Sequence, residues 1–401
     1  KGLGPLVSAE EMSRCIHCTR CVRFGKEVAG SMELGMIGRG EHAEIVSFLG
    51  STVNSELSGN LIDVCPVGAL TSKPFRYSAR TWELIRRKSV SPHDSLGSNL
   101  VLHVKQDQVM RVLPFENQSI NECWLSDRDR FSYEGLNSDE RLTSPMVRDN
   151  DGWREVDWSE ALNVVVEKFR ELILKYGASE IGVLASPQST LEEFYLTKKL
   201  ADGLGIENID FRLRQTDFSD NKIMSIPWLG MNIDEISNCD RILLVGCNVR
   251  KEQPLIGHRI RSAVKSGCEL SVINAIDEDL FTVIHAKSIV SPSEIPLSLV
   301  KVINSIVKIT DKAPISGIEN IESDETSDSI AKSLLQGNRV GLFLGDIGDH
   351  HPNRSVIFGL LNKIAEFVDS KFGCFGEGPN ALGGYLTEFQ PPISSGFNVK
   401  K

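Results

Sequence analysis

The chain has 401 residues, a formal net charge of −10 and 41% apolar residues. That length holds two or three domains with a sizeable core, and the composition is ordinary for a globular protein. The acidic balance argues against nucleic acid as the main partner, because phosphate binding needs a basic surface, and no apolar run approaches the roughly 20 residues that span a bilayer.

The opening stretch, "KGLGPLVSAEE", has neither an initiator Met nor the apolar core of a signal peptide. A fragment whose beginning lies upstream is expected. Residues 1–75 are rich in Cys and Gly and promise only short helical turns. Within an otherwise irregular stretch, "NLVLHVKQDQVMRVLP" (99–114) predicts two strands joined at Gln106-Asp107. From about residue 150 the texture changes. "DWSEALNVVVEKFRELILKYG" (157–177) predicts an amphipathic helix, with Leu162, Val165, Val166, Phe169, Leu172 and Ile173 on the 3.6-residue period. Asp157 and Glu160 have capping-box spacing, and Gly177 supplies the stop. "EIGVLAS" (180–186) predicts a short buried strand, and "TLEEFYLTKKLADG" (190–203) a second helix with Thr190 and Glu193 in capping-box spacing.

"RILLVG" (241–246), a helix from Pro254 to Gly267, "ELSVIN" (269–274), "RVGLFLG" (339–345) and a helix in "NRSVIFGLLNKIAEFVDSKFG" (353–373) continue the alternation. Strands alternating with helices imply parallel sheets covered on both faces. "ENIESDETSDS" (319–329) reads as a solvated acidic loop. His350-His351 reads as a polar loop before a helix beginning at Pro352. The chain stops at "SSGFNVKK", where the α/β region is expected to be incomplete. The expected organisation is a cluster-bearing domain over 1–75, a β-rich connecting domain over 76–150 and an α/β domain over 151–401.

Four of nine cysteines fall in the first 65 residues, so a chain-wide disulfide framework is not the pattern, and a reducing compartment is expected. The other five, Cys123, Cys239, Cys247, Cys268 and Cys374, read as small buried hydrophobes. "RCIHCTRCV" holds Cys15, Cys18 and Cys21, and Cys65-Pro66 follows 44 positions after Cys21. Two centres compete for these thiols. Structural zinc commonly uses paired knuckles. A C-x2-C-x2-C triple with a remote Cys-Pro is the ligand pattern of a [4Fe–4S] cubane, in which each iron takes one soft thiolate. The Cys-Pro thiol can serve a second cluster in two-cluster ferredoxins, but no second complete set exists here, so Cys65 joins the triple. Arg14, Arg20 and Arg23 either tune the centre's potential or form a solvated basic turn. His17 reads as an exposed spacer. No G-x-S-x-G, HExxH or Walker A motif is present, and no catalytic acid–base pair is evident.

"EMSRCIHCTRCVRFGKEVAG", "LGMIGRG", "SELSGNLIDVCPVGALTSKPFRYSARTWE" and "NECWLSDRDRFSYEGL" closely resemble the large iron–sulfur subunit, the 75 kDa type, of NADH:quinone oxidoreductase, respiratory complex I. The resemblance runs along the chain and is densest in 11–135. It implies that Cys15, Cys18, Cys21 and Cys65 ligate the all-cysteine cluster of a relay from flavin towards quinone. Members begin with a [2Fe–2S] domain and a [4Fe–4S] cluster held by one His and three Cys. Neither ligand set is here, so both are expected only in a missing N-terminal part.

The region after about 85 is similar to the molybdopterin oxidoreductases, whose fold opens with its own cluster. The corresponding positions in "SVSPHDSLGSNLVLHVKQDQVMRVLP" are Ser91, Asp94 and Ser98, with the fourth near Ser126; Cys123 lies three residues out of register. Hydroxyls and a carboxylate are poor partners for a soft cluster, so no cluster is expected there. "ENIDFRLRQTDFSD" keeps Asn208, Asp210 and Arg214 of an NxDxxxR stretch but has Thr216-Asp217 where relatives carry a metal-binding thiolate. No molybdenum is expected. The Gly246-x-Asn248 turn, which cradles a pterin nucleotide in cofactor-bearing relatives, reads here as an ordinary βα turn.

The function so implied is electron relay within a NADH:quinone oxidoreductase, through one [4Fe–4S] cluster and without catalytic residues in this chain. Implied partners are the flavin-bearing NADH-oxidising subunits and the cluster-bearing and quinone-module subunits, with no nucleic acid. The implied location is the peripheral arm, on the bacterial cytoplasmic side or the mitochondrial matrix side, with membrane association through partners only. The competing assignments are a hydrogenase-linked diaphorase subunit, a molybdopterin oxidoreductase subunit, and a zinc-ribbon interaction protein.

Overall fold

The computed structural model describes residues 2–149, 152–219, 226–313, 315–392 and 397–398. The chain divides into two compact units, 1–131 with 215–379, and 132–214 with 380–401.

The first unit is built on a five-stranded parallel sheet. Its strands run in the order Ala286–Ile289, Glu269–Asn274, Arg241–Val245, Val340–Leu344, Lys371–Cys374. In the middle strand Ile242, Leu243, Leu244 and Val245 are all fully buried, as a strand covered on both faces requires. Alternate side chains enter different cores. Leu243 and Val245 meet Leu299, Ile303, Ile330 and Leu361 from the helices Ile295–Thr310, Glu325–Leu335 and Arg354–Phe367. Ile242 and Leu244 meet Leu255, Ile256 and Ile260 from the helix Pro254–Lys265.

That second core also contains Leu3, Val7, Phe24, Leu57, Leu61 and Leu70, so the cysteine-bearing segment is packed onto one face of this sheet. Cations on the helix Pro254–Lys265 tie the seam. Arg261 donates to the Val28 carbonyl at 3.0 Å, Lys265 to the Glu27 carbonyl at 2.6 Å, and Arg259 to the Ile120 carbonyl at 2.9 Å. Gly30 (φ +80°) is required at this seam, because a Cβ there would lie 2.8 Å from Arg261 Cδ. The predicted hairpin forms as Asn99–Lys105 and Gln108–Pro114, and Ile85–Val90 adds a third antiparallel strand.

In the second unit, the helix Leu191–Leu204 has the full capping box expected of Thr190 and Glu193. The helix Trp158–Tyr176 has only half of its own: Asp157 accepts from the Glu160 N–H at 2.7 Å, but the Glu160 carboxylate pairs with Arg154 instead. Its apolar stripe also departs from expectation. No residue of this helix is buried, and Leu162 is 58% exposed. Of the six periodic residues, Ile173 packs against the unit's core of Phe194, Phe211 and Phe389. The strand expected to be buried in 180–186 is the short pair member Gly182–Leu184, with Leu184 53% exposed. Periodicity marks an apolar face, but burial needs a partner surface.

One loop expected in the first unit is corrected, and the loop at His350-His351 stands with a later helix start. The acidic segment 319–329 contains the start of the helix Glu325–Leu335, capped by Asp324, which accepts from the Ser327 N–H at 2.8 Å. Its carboxylates sit where a helix N-terminus favours negative charge. The helix expected from Pro352 begins at Arg354, and His351 is buried, accepting from the Asn353 N–H at 2.9 Å while its Nε2 meets the Pro292 carbonyl at 2.8 Å.

Candidate metal centre

Cys15 follows the 3-10 turn Met12–Arg14, and its N–H is bonded to the Met12 carbonyl at 3.0 Å. The chain then takes the left-handed conformation at His17 (φ +52°) and Thr19 (φ +58°) before the helix Arg20–Phe24 begins. Left-handed backbone at side-chain-bearing residues costs roughly 1–3 kcal/mol each. Here it turns the chain so that the three thiols line one pocket instead of being carried away along a helix. The His17 N–H donates to Cys15 Sγ at 3.4 Å. Cys65 terminates the helix Asn60–Val64, and its sulfur accepts from the Leu70 N–H at 3.4 Å.

Cys15, Cys18, Cys21 and Cys65 line one pocket. Ile45, Val64 and Leu70 supply apolar wall, and Arg20 is the one of the three nearby arginines that lines it. All four thiols are half-buried, and His17 is exposed. Burial pushes the Cys21 thiol above its ordinary value, and the neighbouring Cys15 and Cys18 push the same way. Among the described residues no group of three or more His, Cys, Asp or Glu is close enough to share a single metal ion. A cubane gives each thiolate its own iron. Four soft donors, two N–H···S bonds and an apolar wall are the residues such a group needs.

The support for Cys65 comes from "SDRDRF", which the cysteine spacing does not reveal. Asp127 accepts from Ser58 Oγ at 2.5 Å and the Gly59 N–H at 2.6 Å. Arg130 donates to Asn60 Oδ1 at 3.1 Å and pairs with Asp63. Asn60 is fully buried and donates to the Leu57 and Leu125 carbonyls at 2.8 and 2.7 Å. The helix before Cys65 is thus held along its length. Burial raises the Asp127 carboxyl above its usual range despite the bonds from Ser58 and Gly59.

Ser91, Asp94, Ser98 and Ser126 are all buried, whereas Cys123 is exposed, contrary to the expectation of a buried hydrophobe. The other four scattered cysteines are buried. Asn208 and Asp210 lie in the second unit, where Asp210 pairs with Arg212 and Arg214 is exposed. In the first unit Asp217 is fully engaged, accepting from Ser219 Oγ at 2.7 Å and from the N–H and Oγ of Ser355 at 2.9 and 2.5 Å. Burial opposes its ionisation, but these bonds outweigh that and hold the carboxyl well below its usual range. Thr216 donates to the His350 carbonyl at 3.1 Å.

The Gly246 turn is packed shut: a Cβ there would lie 2.5 Å from the Gly348 nitrogen. Acids crowd it. Burial raises the Glu252 carboxyl, and burial together with the Glu252 charge pushes Asp346 up to about 7. Cys247, fully buried and 3.7 Å from Glu252 Oε2, is pushed well above its ordinary value by burial and by the Glu252 and Asp346 charges.

A pocket lined by four cysteine thiols, in a unit built on a parallel α/β sheet, is an arrangement suited to an iron–sulfur centre. Three family models match parts of the chain. Residues 4–71 match "NADH-quinone oxidoreductase subunit 3, ferredoxin-like domain", residues 84–134 match "NADH-ubiquinone oxidoreductase NDSU1/NuoG-like, 4Fe-4S domain", and residues 141–287 match "Molybdopterin oxidoreductase". The fold is similar to that of acetylene hydratase from Pelobacter acetylenicus (TM-score 0.54, 14% identity, 71% of this chain and 43% of that one). The chain resembles the large iron–sulfur subunit of NADH-quinone oxidoreductase. It is 41% identical over 268 residues to an NADH-quinone oxidoreductase subunit of Rickettsia felis, covering 67% of this chain and 39% of that protein. It is 39% identical over 284 residues to the NADH-ubiquinone oxidoreductase 75 kDa subunit of Reclinomonas americana, covering 67% and 40%. The chain therefore spans about two fifths of the length of these relatives.

Proposed function

We propose that this chain is an electron-relay subunit of a NADH:quinone oxidoreductase, with Cys15, Cys18, Cys21 and Cys65 as the ligands of one [4Fe–4S] cluster. The observation that carries this is the meeting of four thiols from two distant segments in one pocket, with backbone N–H groups aimed at two of the sulfurs. A bound cubane supplies a one-electron carrier whose potential depends on burial and on hydrogen bonds to sulfur. The chain's own part is to hold the four thiols, to donate the His17 and Leu70 N–H groups, and to wall off water with Ile45, Val64 and Leu70. None of this needs an acid–base pair.

Residues 85–401 act as scaffold. Their former pterin turn does not fit an anionic pterin nucleotide, since Gly348 fills it and Glu252 and Asp346 oppose a phosphate. The Thr216-Asp217 position offers no thiolate and no free carboxylate. Along the chain we assign modules to 1–75, 76–150 and 151–401, supported by the matched ranges 4–71, 84–134 and 141–287. The partners are the flavin-bearing and quinone-module subunits of the same complex, and the site of action is its peripheral arm, facing the bacterial cytoplasm or the mitochondrial matrix. Among the described residues no helix is long and apolar enough to cross a membrane.

Anaerobic purification with iron, sulfide, zinc and molybdenum analysis tests the assignment, together with EPR of the reduced chain. About four irons and four sulfides per chain are expected. Cys18→Ala should abolish the reduced-cluster signal and Cys123→Ala should leave it. A signal unaltered by the first change contradicts the ligand set, and stoichiometric molybdenum contradicts the scaffold role.

A further inference from the structure

The positions that carry oxygen in place of sulfur form a buried cluster of polar side chains. Ser91, Asp94, Ser98, Ser126 and Asp129 are each at most 3% exposed. Ser91 Oγ and Ser126 Oγ donate to the two oxygens of Asp129 at 2.5 and 2.9 Å, and the Ser91 N–H donates to the Ser98 carbonyl at 2.8 Å. Asp94 Oδ1 accepts from the Leu96 N–H at 3.2 Å. Two buried oxygens are left over: Asp94 Oδ2 and Ser98 Oγ have no hydrogen-bond partner. Asp129 is near enough for its charge to oppose that of Asp94, while Arg128 favours it. His93 feels both Asp129 and Arg128, and Arg128 also donates to the Glu252 carbonyl at 3.0 Å. Two buried carboxylates with one partly committed cation are short of positive charge, and an unpartnered buried carboxylate oxygen is costly.

We propose that this buried cluster binds one hard divalent cation, Ca2+ or Mg2+, through the carboxylates of Asp94 and Asp129 and the hydroxyls of Ser98, Ser91 and Ser126. Carboxylate and hydroxyl oxygens are the donors such ions select, and soft metals are not held by them. The cation would take up the two orphaned oxygens and balance both carboxylates at once. Nothing here depends on the cubane assignment, because no thiol takes part.

The test uses the whole chain after chelator treatment and desalting, titrated separately with CaCl2 and MgCl2 and followed by calorimetry and thermal melting. One of the two ions is expected to bind at one per chain and to raise the melting temperature. Asp94→Asn should weaken binding at least tenfold and remove the melting shift. Asp107→Asn, on the exposed hairpin turn, should bind like the parent chain. If Asp94→Asn does not fold, Ser98→Ala, which deletes one hydroxyl, is read out in the same way and should weaken binding. Absence of binding by either ion overturns the proposal and leaves a shared proton or a buried water as the occupant. Binding that survives both Asp94→Asn and Ser98→Ala unchanged also overturns it and marks surface association.

Discussion

Replacing Arg130 by Met removes the cation that braces the helix before Cys65 while keeping most of its stem volume. The Arg130 side chain is 4% exposed and its partner Asp63 29%. Its Nη2 donates to Asn60 Oδ1 at 3.1 Å and its Nη1 to Asp63 Oδ1 at 3.3 Å, beside the closer Nη2–Asp63 contact. Breaking a fully buried pair costs about 3–5 kcal/mol. Asp63 can hydrate once freed, and surface pairs are worth only about 0–1 kcal/mol, so we expect about 2–3 kcal/mol. Asn60 keeps its bonds to Leu57 and Leu125, which confines the loss to the end of the helix nearest Cys65. At 1.4 kcal/mol per factor of ten, local opening should rise roughly 30- to 140-fold. Hydrogen exchange at residues 60–64 should quicken by that factor, and any bound cluster should bleach faster under chelator while far-UV circular dichroism is unchanged. Exchange at 60–64 within about threefold of the parent chain would refute the bracing role.

Two further outcomes test the packed turn at Gly246. The unfolded Asp346 carboxyl ionises near 3.8 and the folded one at about 7, so between those pH values the folded chain keeps a proton that the unfolded chain has released. Stability should therefore fall as pH rises through that window and level off above it, with part of the titration shared with Glu252; Asp346→Asn should flatten the profile in urea melts and be the more stable form at pH 8. Gly246→Ala must hold φ near +55° and press a Cβ to 2.5 Å from backbone nitrogen, which should cost at least about 2 kcal/mol, whereas Gly359→Ala, with nothing within 4 Å on an exposed helix face, should be neutral or stabilising by about 0.5–1 kcal/mol; equal melting temperatures for the two would contradict the close approach.

What is legible in the sequence is local. Thr190 and Glu193 form a capping box because a spacing of three residues settles it. The run "RILLVG" has to be a covered strand because four consecutive apolar residues cannot face water on either side. Periodicity places the helix Trp158–Tyr176 correctly but says nothing of burial, because its stripe depends on a partner surface that no local pattern supplies. Composition alone reads the acidic stretch 319–329 as a loop, although Asp324 at the cap and carboxylates in the first turn are a helix start. The cysteine pattern announces a soft-ligand centre, but the braces Asp127 and Arg130 lie more than 60 residues from the segment they hold, and no short-range rule links them.

The five-residue helix Asp127–Phe131 explains why those distant residues belong together. Asp127 and Arg130 are three apart and so share one face, the face turned to Ser58, Gly59, Asn60 and Asp63 beside the thiols. Asp129 lies between them in sequence and turns elsewhere, towards Ser91 and Ser126. One turn of helix thus links the segment before Cys65 to a buried cluster of oxygens. The two groups share no residue, yet a shift of this turn reaches the oxygens through Asp129 and the helix before Cys65 through Arg130. Loss of the Asp129 bonds would free the turn that Arg130 uses to steady Cys65. The buried oxygen cluster is accordingly part of the support of the helix before Cys65.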